Sequence, residues 1–355
     1  MSEKKVSVLI LTYNNEYLLG NLLDSIKNKT IYPNYEVYVI DNASTDGTKR
    51  LIKNNYSWVK YIRNKENLGF VRGYNTIYKN IQTDYYLTLN DDTLILTEGW
   101  ISKLVGRMEK FKDLAAIYPV EIIPSEIGKL SKKENKIKKI KEFLVDELKR
   151  YEDWANNKSK QIIIHGELIE GPAILYKAEI IKQTKLFEPI LSPFYYEDTD
   201  LGLKILRRGY YTALDPNVFV IHFHSVMMQK KFKAYQRRLQ IGRNRIILGL
   251  LHRKPIDLIN QLIFEFKTIL FELFKLKINI FESYKYYLYI LKNFGRILRA
   301  RKFRNFLLEN TKNEKYYKNY GIKNLSFIFK AKNKRNKSLD RFLKEKNKVL
   351  KSTLE

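Results

Sequence analysis

The chain has 355 residues, no cysteine, and a formal net charge of +28 from 66 Lys/Arg against 38 Asp/Glu. The lack of thiols excludes disulfides and thiolate metal sites and fits a reducing compartment. The charge is uneven: residues 225–355 carry 33 Lys/Arg and 9 Asp/Glu, whereas the first 224 residues are close to neutral. Such an asymmetry points to a polyanionic partner, either a membrane surface or a nucleic acid.

The N-terminal run "VSVLILT" (6–12) is too short for a signal peptide and lacks a cleavage-like site, so it reads as a strand buried on both faces. Residues 16–26 put Leu18, Leu19, Leu22, Leu23 and Ile26 on one helical stripe. "YEVYVI" (35–40) is a second strand, and Ser44-Thr45-Asp46 opens a helix by capping. Residues 58–62 predict a third strand, 70–81 a helix, and "YYLTL" (85–89) a fourth strand. Strands alternating with helices predict an α/β fold with a doubly wound, mostly parallel sheet.

Ligands of such sheets bind beyond the carboxyl ends of the strands. Those ends read Thr12-Tyr13-Asn14-Asn15, Asp41-Asn42-Ala43-Ser44, "RNKENLGF" and Asn90-Asp91-Asp92. No GxGxxG follows the first strand, which disfavours a dinucleotide-binding domain. Residues 125–160 are polar and Lys-rich and predict a helical insertion. Core-like character resumes over 161–181, a helical face follows within 192–210, and a strand-rich stretch over 211–225 ends in His222 and His224.

From about Met228 the pattern is helical, with Tyr, Phe, Leu and Ile among Lys and Arg. The longest apolar stretch, 256–281, holds too many charges to span a membrane but suits an interfacial amphipathic helix. Residues 237–255 read as the start of membrane-surface docking, with phosphate binding by Arg243 or Arg245 as the competing role. The expected division is therefore a domain over 1–225 and a basic helical region over 226–355.

Adjacent carboxylates at a strand end repel unless one keeps its proton or a cation intervenes. Asp91 and Asp92 thus read either as a turn or as an oxygen-ligand site for Mg²⁺ or Mn²⁺ completed by substrate phosphates. His165 and His252 show no partner in the sequence.

The ordered motifs "VSVLILTYNN", "VIDNASTDGT", "NLGFVRGYN", "LNDDT" and "YYEDTDLGLKILRRGY" resemble the family 2 glycosyltransferases of GT-A fold, in particular the rhamnosyltransferase-like branch. The resemblance covers roughly residues 4–250. It implies an inverting, metal-dependent transferase that moves a sugar from a UDP- or dTDP-linked donor to a glycan or lipid-linked acceptor. On the matching positions it implies that Thr12, Tyr13 and Asn14 line the nucleotide, and that Asp41 accepts the pyrimidine N3–H. Asn67, Arg72 and Asn75 close over the nucleoside, although loop capping or a solvated charge accounts equally well for Asn67 and Arg72.

Asn90 stands where the first acid of a DxD motif is expected. Asp92 is the implied metal ligand, and Asp91 contacts the ribose or assists. Asp198 is the implied general base, supported by Glu197, and the competing reading of that pair is a helix N-terminus favouring acids. His224 is the implied histidine at the metal, against a plain surface histidine. Gly171-Pro172-Ala173 matches a turn beside the acceptor pocket. The expected location is cytoplasmic, peripheral on the inner membrane face. A nucleic-acid-binding protein using the basic aromatic tail leaves the strand-end acids unexplained. A non-catalytic nucleotide-sugar binder is the other alternative.

Overall fold

The computed structural model describes residues 3–122, 163–166, 171–223, 234–253, 263 and 280–311. The insertion expected over 125–160, His224 and the tail beyond 311 lie outside the described residues. The first strands are β1 (Val6–Thr12), β2 (Tyr35–Asp41), β3 (Lys60–Arg63) and β4 (Tyr85–Asn90). They run parallel in the order β3–β2–β1–β4. Thr12 lies opposite Asp41 and Leu11 opposite Asn90, so the strands end level on one edge.

Beyond β4 the sheet becomes mixed. β8 (Ala173–Lys177) is antiparallel to β4, and β6 (Leu114–Ile122) is antiparallel to β8. β9 (Tyr211–His222) runs parallel to β6, while β5 (Thr93–Ile95) and β7 (Ile163–Gly166) lie antiparallel to β9. The pairing of Thr93 with His222 delivers the end of β9 to the residue after Asp92.

Alternate residues of β1 serve two core layers, as side-chain alternation requires. Val6, Val8 and Ile10 pack on the layer of α1 (Glu16–Lys29), α2 (Thr48–Asn55) and α4 (Trp100–Lys110). Leu9 packs on the layer of α3 (Gly69–Asn75), α5 (Ala178–Thr184) and α6 (Glu197–Arg207). The helix expected over 70–81 stops at Asn75 and resumes only as a 3-10 turn at Tyr78–Asn80. At this end Thr76 bonds the Gly73 carbonyl with both its hydroxyl (2.7 Å) and its N–H (3.3 Å), local bonds that compete with the helical pattern. Asn75 meanwhile donates to the Phe187 carbonyl (2.8 Å) and accepts the Phe187 N–H (3.2 Å).

The described residues of the C-terminal region form three helices, α7 (Ala234–His252), α8 (Ile280–Lys292) and α9 (Phe294–Glu309). A third apolar cluster joins them to the 3-10 turn at Pro189–Leu191 through Ile190, Leu191, Ile247, Leu251, Ile290 and Ile297. Each fully buried side chain of this kind contributes about 1.5–3 kcal/mol.

The inner face of α7 is polar where it meets the loop before α6. Asn244 donates to the carbonyls of Leu191 (2.7 Å), Phe194 (2.9 Å) and Tyr195 (2.9 Å). Arg243 donates to the Ser192 carbonyl and lies over the Tyr289 ring, 4.2 Å from its centroid. The basic residues of 237–255 are therefore not all turned outward as membrane docking expects: Arg243 is buried against the chain itself. Asn244→Ala is expected to remove the amide donor from three carbonyls, of which that of Phe194 keeps Gln240 Nε2 (3.4 Å), lowering stability by about 1–3 kcal/mol. A urea midpoint within error of the parent would show that the clamp is dispensable.

Candidate active site

Three strand ends meet at the carboxyl edge. At β1, Thr12 donates its hydroxyl to Asp91 Oδ2 (2.7 Å), tying β1 to the end of β4. Asn14 has a left-handed backbone (φ 51°) and works inside the loop layer. Its N–H goes to Ser44 Oγ (2.9 Å), and its Oδ1 accepts the Thr45 N–H (2.6 Å). Burial and the neighbouring Asp92 charge lift the Asp91 pKa to about 7 against hydrogen bonds from Thr12, Asn15 and the Tyr13 backbone.

Asp41 at the end of β2 is fully buried. Its Oδ1 accepts the Ser44 N–H (2.7 Å), and its Oδ2 accepts the Tyr61 hydroxyl and the Arg63 guanidinium. Burial pushes its pKa up, but hydrogen bonds from Ser44 and Tyr61 and the Arg63 charge outweigh that and hold it below the usual range. In this arrangement Asp41 anchors the loop, and a pyrimidine N3–H reaches it only if Tyr61 and Arg63 move.

Asn42 knits the next turn. Its Oδ1 accepts from Asn64 (2.8 Å), and its amide donates to Asn67 Oδ1 (3.3 Å) and the Gly69 carbonyl (3.1 Å). Asn67 thus has the loop-capping role, which includes accepting the Gly69 N–H (2.9 Å). Gly69 has φ +75°, and a Cβ there would lie 2.7 Å from Pro193 Cβ. Only glycine lets the loop before α6 come this close. The Val71 N–H completes the contact by bonding the Pro193 carbonyl (3.1 Å).

That loop leads into Glu197 and Asp198 at the start of α6, through Tyr195 and Tyr196, both in the left-handed region (φ 79° and 69°). Glu197 is buried, and its Oε2 has no hydrogen-bond partner among the described residues. Burial, then the Asp198 charge, holds Glu197 well above the usual range. Burial also raises Asp198, but hydrogen bonds from the Thr199 N–H (2.6 Å) and hydroxyl (3.3 Å) limit it to about 6. Glu197 is thus held the higher of the two, and Asp198 is the one that ionises more readily, as a general base needs.

At the other end of the cluster, Asp92 Oδ1 faces His222 Nε2 at 3.1 Å, and Glu121 holds the Nδ1 of the same ring. Asn90 approaches the same Nε2 at 3.4 Å, and its N–H bonds the Pro172 carbonyl (2.7 Å). The Gly171-Pro172-Ala173 turn therefore acts through its backbone. Burial depresses His222, but hydrogen bonds to Asp92 and Glu121 raise its pKa to about 9.

The model that describes glycosyl transferase family 2 matches residues 7–165. Residues 7–165 belong to that family. An uncharacterized glycosyltransferase of Haemophilus influenzae is 27% identical over 217 residues, 58% of this chain and 61% of that protein. The O-antigen chain rhamnosyltransferase RfbN of Salmonella typhimurium is 25% identical over 241 residues, 65% of this chain and 70% of that protein. The solved structure of S. aureus TarS 1-349 in complex with UDP-GlcNAc superposes with a TM-score of 0.53 at 15% identity, covering 89% of each chain. That likeness establishes the GT-A fold. The chain spans about three fifths of the length of the Haemophilus relative. The matched region ends before Glu197 and Asp198.

The residues at Asp92 fit a divalent cation. A carboxylate and an imidazole nitrogen converge, and Glu121 on the far ring nitrogen is the arrangement that orients a metal-ligating histidine. No group of three His, Cys, Asp or Glu among the described residues could hold a metal alone. One or two protein carboxylates completed by substrate phosphate and water is the usual mode for Mg²⁺; here Asp92 is the carboxylate, and His222 joins it on giving up its proton.

Sequence reasoning missed several of these partners. His222 meets Asp92, a contact with no local signal, while His224, the histidine expected at the metal, lies outside the described residues. Glu121 had no local signal. Arg72 and Asn75, expected over the nucleoside, line a separate cavity that none of the strand-end acids lines. His252 and Asp200 are paired. His252 Nε2 is 2.7 Å from Asp200 Oδ1, which also accepts from Arg304 Nη2 (2.6 Å), with Lys204 Nζ 3.3 Å from Oδ2. Arg304 reaches Glu188 as well (3.1 Å), so a buried charge cluster fastens α6 to α7 and α9.

Proposed function

We propose that the chain is an inverting, metal-assisted glycosyltransferase using a UDP- or dTDP-linked donor and a glycan or lipid-linked acceptor. The observation that carries this reading is the difference between the two acid pairs. Asp92 meets an imidazole in a cation-binding arrangement, whereas Glu197 and Asp198 are held with raised pKa values at a helix start. In this scheme Asp198 takes the proton of the acceptor hydroxyl. That oxygen forms its bond to the anomeric carbon as the carbon–oxygen bond to the diphosphate breaks on the opposite face, which inverts the configuration.

Glu197, when it carries its proton, donates a hydrogen bond to the acceptor or to the base. Asp91 and Thr12 hold the ribose side, with Tyr13, Asn14 and Asn90 around them. Asp92 and His222 would hold Mg²⁺ or Mn²⁺, which supplies the positive charge a departing diphosphate needs. The likeness to a protein named as an O-antigen chain rhamnosyltransferase supports a glycan acceptor.

The test is a melting-temperature screen of UDP- and dTDP-sugars with Mn²⁺, followed by assay of diphosphate release. A matching donor at about 100 times its Kd stabilises by about 2.7 kcal/mol, and Asp92→Ala is expected to abolish that rise. If no sugar nucleotide raises the melting temperature or releases diphosphate, the reading fails.

The same proposal places the protein in the cytoplasm, peripheral on the inner membrane face. No helix among the described residues is long and apolar enough to cross a membrane. Support comes from α8 and α9, where Leu291 (71% exposed) and Phe294 (46%) stand out beside Lys292 and Arg296. Co-flotation with phosphatidylglycerol vesicles is expected, weakened by Leu291→Ser/Phe294→Ser. Flotation equal for both proteins would remove these side chains from the membrane role.

A further inference from the structure

A cavity of about 530 Å³ opens away from the strand-end acids, between α3, the Pro189–Leu191 turn and the helices α8 and α9. Its volume falls in the range of small-ligand sites, about 300–1,000 Å³. Arg72, Lys79, Lys185, Arg296 and Arg299 all line it. Each of the five is exposed. Among the described residues none of the five forms an ion pair. Arg296 donates only to Asn293 Oδ1 (3.3 Å), and Lys185 sits over the Phe303 ring (4.6 Å).

The one carboxylate in the lining, Glu188, is already bonded by Arg304 at 3.1 Å. Lys204 in the floor is matched by Asp200 at 3.3 Å. The wall also holds Phe187 and Tyr289, so the charges surround an apolar surface. A net charge of +28 makes scattered Lys and Arg common on this protein. Five of them turned into one concavity, with its only acid occupied, form a local excess that a compact anion can satisfy. Guanidinium groups match phosphate oxygens two at a time, which gives such a site geometric selectivity over a plain lysine patch.

We propose that this cavity is an anion site for a phosphate-bearing group, with its carbon body resting on Phe187 and Tyr289. It is separate from the acid cluster and stands whether or not that cluster transfers a sugar. The source is either a free organic phosphate or the head group of an anionic lipid. α8 and α9 carry both Arg296 and Arg299 and the exposed Leu291, Phe294 and Leu298, so a head group could enter with its chains still in the bilayer.

The test uses the full chain in EDTA, which separates it from metal-dependent donor binding. Inorganic pyrophosphate is titrated calorimetrically. Sedimentation with phosphatidylcholine vesicles, with and without phosphatidic acid, forms the second arm. Saturable binding in either arm is expected, weakened about ten-fold or more by Arg296→Gln/Arg299→Gln, the loss of at least one charge-assisted contact. Lys49→Gln/Lys53→Gln, exposed on α2, is the charge-matched control and should leave binding within about two-fold.

Binding of pyrophosphate identifies a free phosphate as sufficient. Binding of phosphatidic acid vesicles alone identifies the lipid head group. Absence of binding in both arms, or equal losses in the two variants, overturns the proposal. A chain that binds here yet shows no donor-dependent melting shift would sink the transferase reading and leave this one intact.

Discussion

Asp198→Asn is expected to lower kcat by about 10²–10⁴-fold, the range that a positioned general base contributes. The same substitution should raise stability at neutral pH. Asp198 titrates near 6 in the folded chain, above the ordinary value of about 3.9. A raised folded pKa means that the stabilising proton is fully present below about pH 4 and is lost as pH climbs through 6. At pH 7 the ionised group therefore costs about 1–3 kcal/mol, which Asn removes.

Activity follows the opposite course, rising with pH through about 6 and then levelling as the base ionises. Glu197→Gln is the matched control, because Gln imitates an acid that keeps its proton. It should retain most of the rate. An Asp198→Asn protein that turns over normally, or a Glu197→Gln protein that loses as much, would reverse the roles of the two acids.

Arg304→Ala should be the most damaging change away from the acids. Asp200 and Arg304 are both fully buried, and the guanidinium reaches Asp200 at 2.6 and 2.9 Å. Burial raises the Asp200 pKa, yet Arg304, Lys204 and His252 together hold it well below the usual range. Burial first, then the Arg304 and Arg207 charges, keep His252 near 3, so the imidazole there is neutral. Removing Arg304 leaves a buried carboxylate short of its main partner, a loss of about 3–5 kcal/mol. The readout is the urea midpoint with kcat at saturating donor. Both should fall, since Asp200 lies on the helix that starts with Glu197 and Asp198. A loss under about 1 kcal/mol would show that α9 is held by its apolar contacts alone.

The strands β1, β2 and β4 were legible because parallel strands buried on both faces read as unbroken apolar runs. The strand-end polar clusters were legible as clusters, since each apolar run breaks into one, but not which members tie the loops, as Asp41, Asn14 and Asn42 do. What the sequence hid were partners set by register and long separation. His222 and His224 share a strand parity, and the pairing of Thr93 with His222 is what brings His222 to Asp92. Asp41 read as an open acceptor because its occupants, Tyr61 and Arg63, belong to the neighbouring strand, where Arg63 lies opposite Asp41. His252 carries no local signal, because Asp200 and Arg304 stand 52 residues before and 52 after it.

Asn244 holds Leu191, Phe194 and Tyr195 by their carbonyl oxygens, and a carbonyl is the same whichever side chain follows it. The position of the loop is thereby independent of its composition. Substitutions at 194–196 can alter the surface presented beside Glu197 while α7 keeps the backbone in place. Variation in those few codons would reshape the surface beside Glu197 and leave the helix scaffold in place.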